Sequence, residues 1–266
     1  MPIDISVRFA FSVDRLSDVL LQFEAAAIPE QRILARSSRI SEAEHVARIA
    51  AQDAIGERIW LHVEGRCEVT YSARVTINRL LPDMASLARL EPHELPAEAV
   101  QYLFDSRYCP ADRFQPFVEA EFGSSQGGER VLAIREWVAD HLSYMPGCSD
   151  SNTTALDTFV ERRGICRDYA HLVVTLVRAS AIPARYVSAY APGVDPPDFH
   201  AVAEVFLADP SIERGGAWHI VDATGMADPA ETVKIGVGRD AADVSFMAVF
   251  GDAAFEDKQI TVAKTA

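Results

Sequence analysis

The sequence holds cysteines at 67, 109, 148 and 166, and the last stands where a thiol would be reactive. In "GICRDYAHL", residues 164–172, a glycine comes two residues before Cys166, and a helical pattern runs on from the cysteine to Ser180. A helix N-terminus leaves backbone N–H groups without intrahelical partners and carries a partial positive charge. Both effects favour a thiolate over a thiol. The same N–H groups can donate to an oxyanion. Gly164 would permit an unusual backbone turn into the helix. The placement equally suits a small buried residue that merely begins a helix.

A thiolate nucleophile needs a base, and the base needs an orienting group. His171 lies five residues after Cys166, about 140° round the helix axis, so it is read as a core or supporting histidine. His200 opens "HAVAEVFL" after the proline-rich loop "APGVDPPDF", where a strand would hold it and the loop leave it accessible. Asp222 ends the apolar run in "AWHIVDATG". If these two strands form a hairpin with Leu207 opposite Ala217, His200 and Asp222 become diagonal neighbours on one face. A slip of one residue would separate them. His219 has the opposite parity from Asp222 and is not chosen as the base. Neither an HExxH nor a paired-cysteine spacing supports a metal site, and no acidic cluster resembles a calcium loop, so no metal or other cofactor is expected.

The elements that must position these residues follow from hydrophobic patterning. The first 80 or so residues alternate with period two. In "RIWLHVEGRCEVTYSARVTI", Ile59, Leu61 and Val63 point one way and Trp60, His62 and Glu64 the other, as in a half-buried antiparallel sheet or small sandwich. "ISVRFAFSV", "DVLLQFEAAAI" and "HVARIAAQDA" read as further strands. Residues 82–100 are rich in proline and acid and read as a linker with a short helical turn. "GERVLAIREWVADHLSY" then places Val131, Ile134, Trp137, Val138 and Leu142 on one helical face, which makes Trp137 a core residue. "TTALDTFVERRG" reads as a short helix with a Thr start and a Gly164 stop. After the Cys166 helix come strands from Tyr186, at about 201–207 and at about 217–224. Helices first and strands after is an α+β layout. The expected division is an N-terminal β-rich domain at 1–82, a linker at 83–100, a catalytic domain at 101–251 and a terminal strand or tail at 252–266.

Bulk properties exclude several functions. The 266 residues are 49% hydrophobic and 24% charged, ordinary for a soluble domain or two. The net charge of −14, with no basic stripe, speaks against nucleic acid as a partner. Neither a membrane span nor a signal peptide is legible, so the expected location is the cytoplasm, away from membranes. Scattered cysteines in a chain without an export signal do not suggest a disulfide framework.

Several blocks, in order, resemble the transglutaminase-like superfamily, in particular its bacterial cysteine-peptidase-like branch. They are "RYCPADRF" at 107–114, "GICRDYAHL" at 164–172, "IPARYVSAYAPG" at 182–193, "DFHAVAEVF" at 198–206, "HIVDATG" at 219–225 and "VGRDAADVSF" at 237–246. The resemblance implies an N-terminal β domain before a papain-like α+β core of helices packed on an antiparallel sheet. It also implies Cys166 as nucleophile, His200 as general base and acid, and Asp222 as the residue that orients the imidazole. Arg167 and Asp168, beside the nucleophile, would bind substrate or fix the helix start by an ion pair, the second being favoured. His171, Tyr108, Arg239 and Asp240 would line or brace the cleft. The implied reaction is acyl transfer from a peptide or carboxamide through a thioester. Hydrolysis is the favoured outcome, protein crosslinking the alternative, and a non-catalytic binding scaffold the reading from another class. The partner expected is a peptide or protein substrate. The second oxyanion donor is left unassigned.

Overall fold

The computed structural model describes residues 1–212 and 215–265. Four N-terminal strands, β1 (Ile3–Leu21), β2 (Gln31–Ile40), β3 (His45–Ala50) and β4 (Glu57–Ile77), are followed by a helical section. That section holds α1 (Ala97–Val100), α2 (Gln115–Phe122), α3 (Gly127–His141), β5 (Ser143–Tyr144), α4 (Ala155–Glu161), β6 (Arg163–Gly164) and α5 (Cys166–Ala179). The strands β7 (Ala184–Tyr190), β8 (His200–Ala208), β9 (Gly216–Val221), β10 (Val233–Gly238), β11 (Met247–Phe250) and β12 (Ala253–Lys264) complete the chain. Helix makes up 24% and strand 40%, so the class is α+β.

The first sheet is antiparallel and has six strands, with β1 and β4 at its centre. Its alternation is the one read above: Ile59, Leu61 and Val63 are buried, and Trp60, His62 and Glu64 are not. It forms one sheet, not a sandwich of two. "ISVRFAFSV" and the first four residues of "DVLLQFEAAAI", read as separate strands, run together as β1, and the rest of the second stretch lies beyond the strand. The pairing with β4 shifts between Val13 and Ser17, where Asp14, Arg15 and Leu16 are exposed. Charged residues there mark a bulge, and the chain bends without turning back. The last two strands return to this sheet, since β11 and β12 both pair with β1. β11 lies within the stretch 101–251, yet its partner is N-terminal.

The second sheet, β10-β7-β8-β9, is antiparallel throughout. α5 packs against it, and every residue of α5 from Asp168 to Arg178 is buried. A helix covered on all sides cannot shift without disturbing several layers. Around it, Val131, Ile134 and Val138 of α3 join Leu172, Val173, Leu176 and Val177 of α5, with Trp137 packed at the margin. Arg178 anchors the far end of α5 by donating to the carbonyls of Ala184, Phe104 and Arg239.

α4 begins with Thr154, as expected, and the Asp157 carboxylate accepts from the Thr154 N–H to close a capping box. Its end differs from the expectation. α4 stops at Glu161 with Arg162 in the left-handed region at φ 57°, and Gly164 is not its cap. Gly164 instead pairs with Tyr144 in the short parallel ladder of β5 and β6. A Cβ there would stand 2.7 Å from the Asp168 Cβ. Glycine is required for this close approach, not for a left-handed turn.

Candidate active site

Cys166 is the first residue of α5 and is partly exposed. Asp168 fixes that helix start. Its buried carboxylate accepts from the Ile165 N–H at 2.9 Å and from the Arg167 guanidinium at 3.0 Å. Arg167 also donates to the Asp150 carbonyl at 2.6 Å. Both residues are therefore occupied with holding the chain around Cys166. Cys166 packs against a small cluster of Ala170, Tyr186, Ala201 and Val244. Ala201 directly follows His200.

The hairpin of β8 and β9 has the register that brings the two polar residues together, with Leu207 opposite Ala217 and Ala203 opposite Val221. The His200 Nε2–H donates to Asp222 Oδ2 at 3.1 Å. Asp222 is held from the other side. Its Oδ1 accepts from the Thr224 N–H and hydroxyl, each at 2.8 Å, and its Oδ2 from the N–H of Ala227 at 2.8 Å and of Met226 at 3.1 Å. Burial would raise the pKa of this carboxyl, but His200 and Thr224 outweigh it, so the group is held below the ordinary 3.8.

With Nε2 committed to Asp222, the other ring nitrogen of His200 is left over. Nδ1 is buried and has no hydrogen-bond partner among the described residues. Burial alone would lower the imidazole pKa. The bond to Asp222 and the neighbouring Cys166 sulfur reverse this and push it up to about 9. Cys166 thus lies close enough to act on the ring, though no hydrogen bond of good geometry joins the two. Catalytic hydrogen bonds of unliganded enzymes are often loose in this way.

The other sequence candidates form a brace behind this group. His171 is fully buried, stacks on Tyr108 with ring centres 5.0 Å apart, and accepts from the Ala241 N–H at 3.1 Å. Burial, with Arg167 and Arg178 nearby, holds it well below 6.5, so it is neutral. Tyr108 donates its N–H to Asp240 at 2.9 Å and its hydroxyl to the Ser151 carbonyl at 2.7 Å. Arg239 points outward in an ion pair with Asp243. His219 stands apart from the group, as its parity predicts. Among the described residues no set of three or more His, Cys, Asp or Glu is placed to hold a metal ion.

Sequence reading missed Tyr144. Its place in β5, paired with Gly164 of β6, brings it alongside Cys166. Burial first, and then the charge of Cys166, push its phenol up to about 12, so it stays a protonated donor. No local pattern marks Tyr144. Only the pairing of two very short strands, 20 residues apart in sequence, reveals it.

A family profile described as the transglutaminase-like superfamily matches residues 118–223. The crystal structure of a "Putative Cysteine Protease" from Cytophaga hutchinsonii superposes with a TM-score of 0.88, at 31% identity, covering 99% of this chain and 90% of that one. This chain belongs to the transglutaminase-like superfamily. Its core has the transglutaminase-like fold. An uncharacterized protein of Mycobacterium leprae is 30% identical over 184 residues, 66% of this chain. The chain spans 65% of the length of that curated relative.

Proposed function

We propose that the protein is a thiol-dependent acyl-transfer enzyme that hydrolyses peptide or carboxamide bonds through Cys166, His200 and Asp222. The observation that carries this reading is the divided commitment of His200. One ring nitrogen is fixed by a carboxylate with five donors, and the other is buried, unpaired and beside a cysteine at a helix N-terminus. His171 and His219 also keep one buried, unpaired ring nitrogen, and what sets His200 apart is its ionised Asp222 partner together with Cys166 close to the ring.

In the attacking form the proton of the Cys166 thiol has passed to His200 Nδ1, leaving a thiolate beside an imidazolium. The sulfur attacks the substrate carbonyl, a C–S bond forms, and the carbonyl π electrons move to oxygen. The Cys166 N–H and the Tyr144 hydroxyl are the donors for that oxyanion. As the tetrahedral species collapses, the C–N bond breaks and the His200 Nδ1–H gives its proton to the departing amine. The thioester remains on Cys166. His200, now neutral, takes a proton from water as the water attacks the thioester. A second collapse releases the carboxylic acid and restores the thiolate and imidazolium. Asp222 stays ionised and keeps Nε2 protonated, so that Nδ1 always faces the chemistry. Hydrolysis is preferred to crosslinking on the strength of the Cytophaga hutchinsonii likeness.

The test is alkylation by iodoacetamide near neutral pH. Cys166 should label faster than a free thiol, and His200→Ala should slow it. Labelling at the rate of a free thiol overturns the reading. A glutamine-donor peptide, incubated with and without a primary amine, then separates water from amine as the acceptor. Incorporation of the amine in preference to release of the acid would replace hydrolysis with crosslinking.

A further inference from the structure

His200 stands at the end of a strand, where local opening costs least. The β8–β9 ladder stops at the pair Ala203–Val221, and the β7–β8 ladder ends on the pair Ala189–His200 itself. Shortly before it, Asp195, Pro196 and Pro197 are exposed. A ring that must meet both Asp222 and Cys166 needs firmer support than a strand end supplies, because small misplacements of reacting groups are costly.

That support comes from the first sheet. One step beyond the pair Ala189–His200, the Phe199 ring meets Tyr190, with centres 5.6 Å apart. It also stacks on Phe246 at 4.9 Å. Phe246 lies between β10 and β11 and reaches Phe9 of β1 at 6.1 Å and Phe255 of β12 at 5.8 Å, both edge-on. Its carbonyl accepts from the Gln22 N–H at 2.9 Å, which ties its backbone to the end of β1. Tyr190 is tied to the same region, since its hydroxyl donates to the Phe23 carbonyl. Beside Phe199, Asp198 accepts from Lys258 of β12 at 2.7 Å. That ion pair is exposed and contributes little by itself. The rings contribute more, since aromatic contacts fix orientation as well as burying area.

The segment that carries Phe246 also reaches the nucleophile. Val244 packs in the cluster around Cys166, and Arg58 of β4 donates to the Asp243 carbonyl at 2.7 Å. We propose that Phe199 is a positioning residue for His200, held through Phe246 by the first sheet, which thereby takes part in aligning the reacting pair. The proposal rests on the roles proposed for Cys166 and His200. Phe199 acts through the backbone of its neighbour, not on substrate.

Phe199→Leu keeps the position apolar but removes the ring. His200, followed by the NMR shift of its Cε1–H, should then titrate clearly below about 9, as its contacts with Asp222 and Cys166 loosen. Iodoacetamide labelling of Cys166 should slow about tenfold. Phe199→Tyr restores a ring at this partly exposed position and should return both readings to near wild type. Phe246→Leu, one ring further from His200, should lower the midpoint in the same direction and slow labelling about threefold. Trp60→Leu is the control. It removes another aromatic contact of the first sheet, that of Trp60 with Phe250 at 5.4 Å, off this path, and should leave both readings unchanged. Circular dichroism and urea midpoints establish which variants are folded. The proposal is overturned by a folded Phe199→Leu with an unaltered His200 midpoint, by failure of Phe199→Tyr to restore that midpoint, or by equal losses in Trp60→Leu. Should Phe199→Leu not fold, Phe246→Leu decides by the same midpoint. If wild-type Cys166 labels at the rate of a free thiol, the catalytic reading falls, and the His200 midpoints still decide the positioning.

Discussion

Strand β8 carries two buried charged groups four residues apart, and they are built on opposite plans. Glu204, fully buried, is closed on both sides: Arg185 grips one oxygen and Lys234 the other. His200 is open on one side, with Nε2 tied to Asp222, Nδ1 left unpaired and Cys166 close enough to act on the ring. Both clusters hold charge in the interior. Only one retains a valence that a reacting atom could use. Burial and ion pairing therefore do not by themselves point to chemistry, and neither does an unfilled valence alone, which His171 and His219 share; an unfilled valence on a carboxylate-bound histidine close to a cysteine does.

The largest expected effects come from closing or emptying the open cluster. Cys166→Ser should lower peptide or amide turnover at least about 10⁴-fold with stability little changed. Asp222→Asn should lower it about 10³- to 10⁴-fold, because the amide can fix the wrong imidazole tautomer. Turnover and urea denaturation of the same preparations check both. If Asp222→Asn retains full activity, the open valence of His200 is not what drives the reaction.

The closed cluster should answer in the other currency. Glu204→Ala leaves Lys234 and Arg185 buried without their shared carboxylate. The expected loss is about 3–5 kcal/mol of stability, read from the urea midpoint. Below the unfolding transition, turnover should stay within a few-fold of wild type. A variant that folds normally but has lost activity would bring Glu204 into the chemistry and erase the contrast.

Much of this arrangement was legible beforehand. The parity of His200 and Asp222, with the register set by Leu207 and Ala217, was enough to bring them together, because alternation in a sheet with buried faces leaves little freedom. The Cys166 helix start was legible from its apolar pattern. Gly164 was misread, since spacing cannot distinguish a glycine that caps one helix from one that makes room for the Asp168 side chain of the next. The return of β11 and β12 to the first sheet was missed because a strand's sequence does not name its partner. Tyr144 was missed for the same reason, and it supplies a smaller test. Tyr144→Phe should reduce turnover about 10²-fold with little change in KM, if its hydroxyl serves the transition state alone. A rise in KM at constant kcat would make Tyr144 a binding residue instead.

The finest test uses pH, because His200 and Glu204 are linked to it with opposite sign. The folded-state value of His200, about 9, lies above the ordinary 6.5. Its contribution to stability is present in full below about pH 6.5 and is lost as pH rises through about 9. Glu204 is held down from 4.5 to about 2, chiefly by Lys234 and Arg185 working against burial. Its contribution is present above about pH 4.5 and is lost as pH falls toward 2. Urea midpoints should therefore decline at both ends, with Glu204→Ala flattening the acid limb and His200→Ala the alkaline one. Cys166→Ser discriminates further. Because the sulfur helps to raise the imidazole, the His200 midpoint, followed by the NMR shift of its Cε1–H, should fall below about 9 in this variant. The part of the acid limb that Glu204→Ala removes should not move. An unchanged His200 midpoint would mean that Asp222 alone sets the charge of the ring. The valence facing Cys166 would then be electrostatically idle, and the open cluster would differ from the closed one in geometry only.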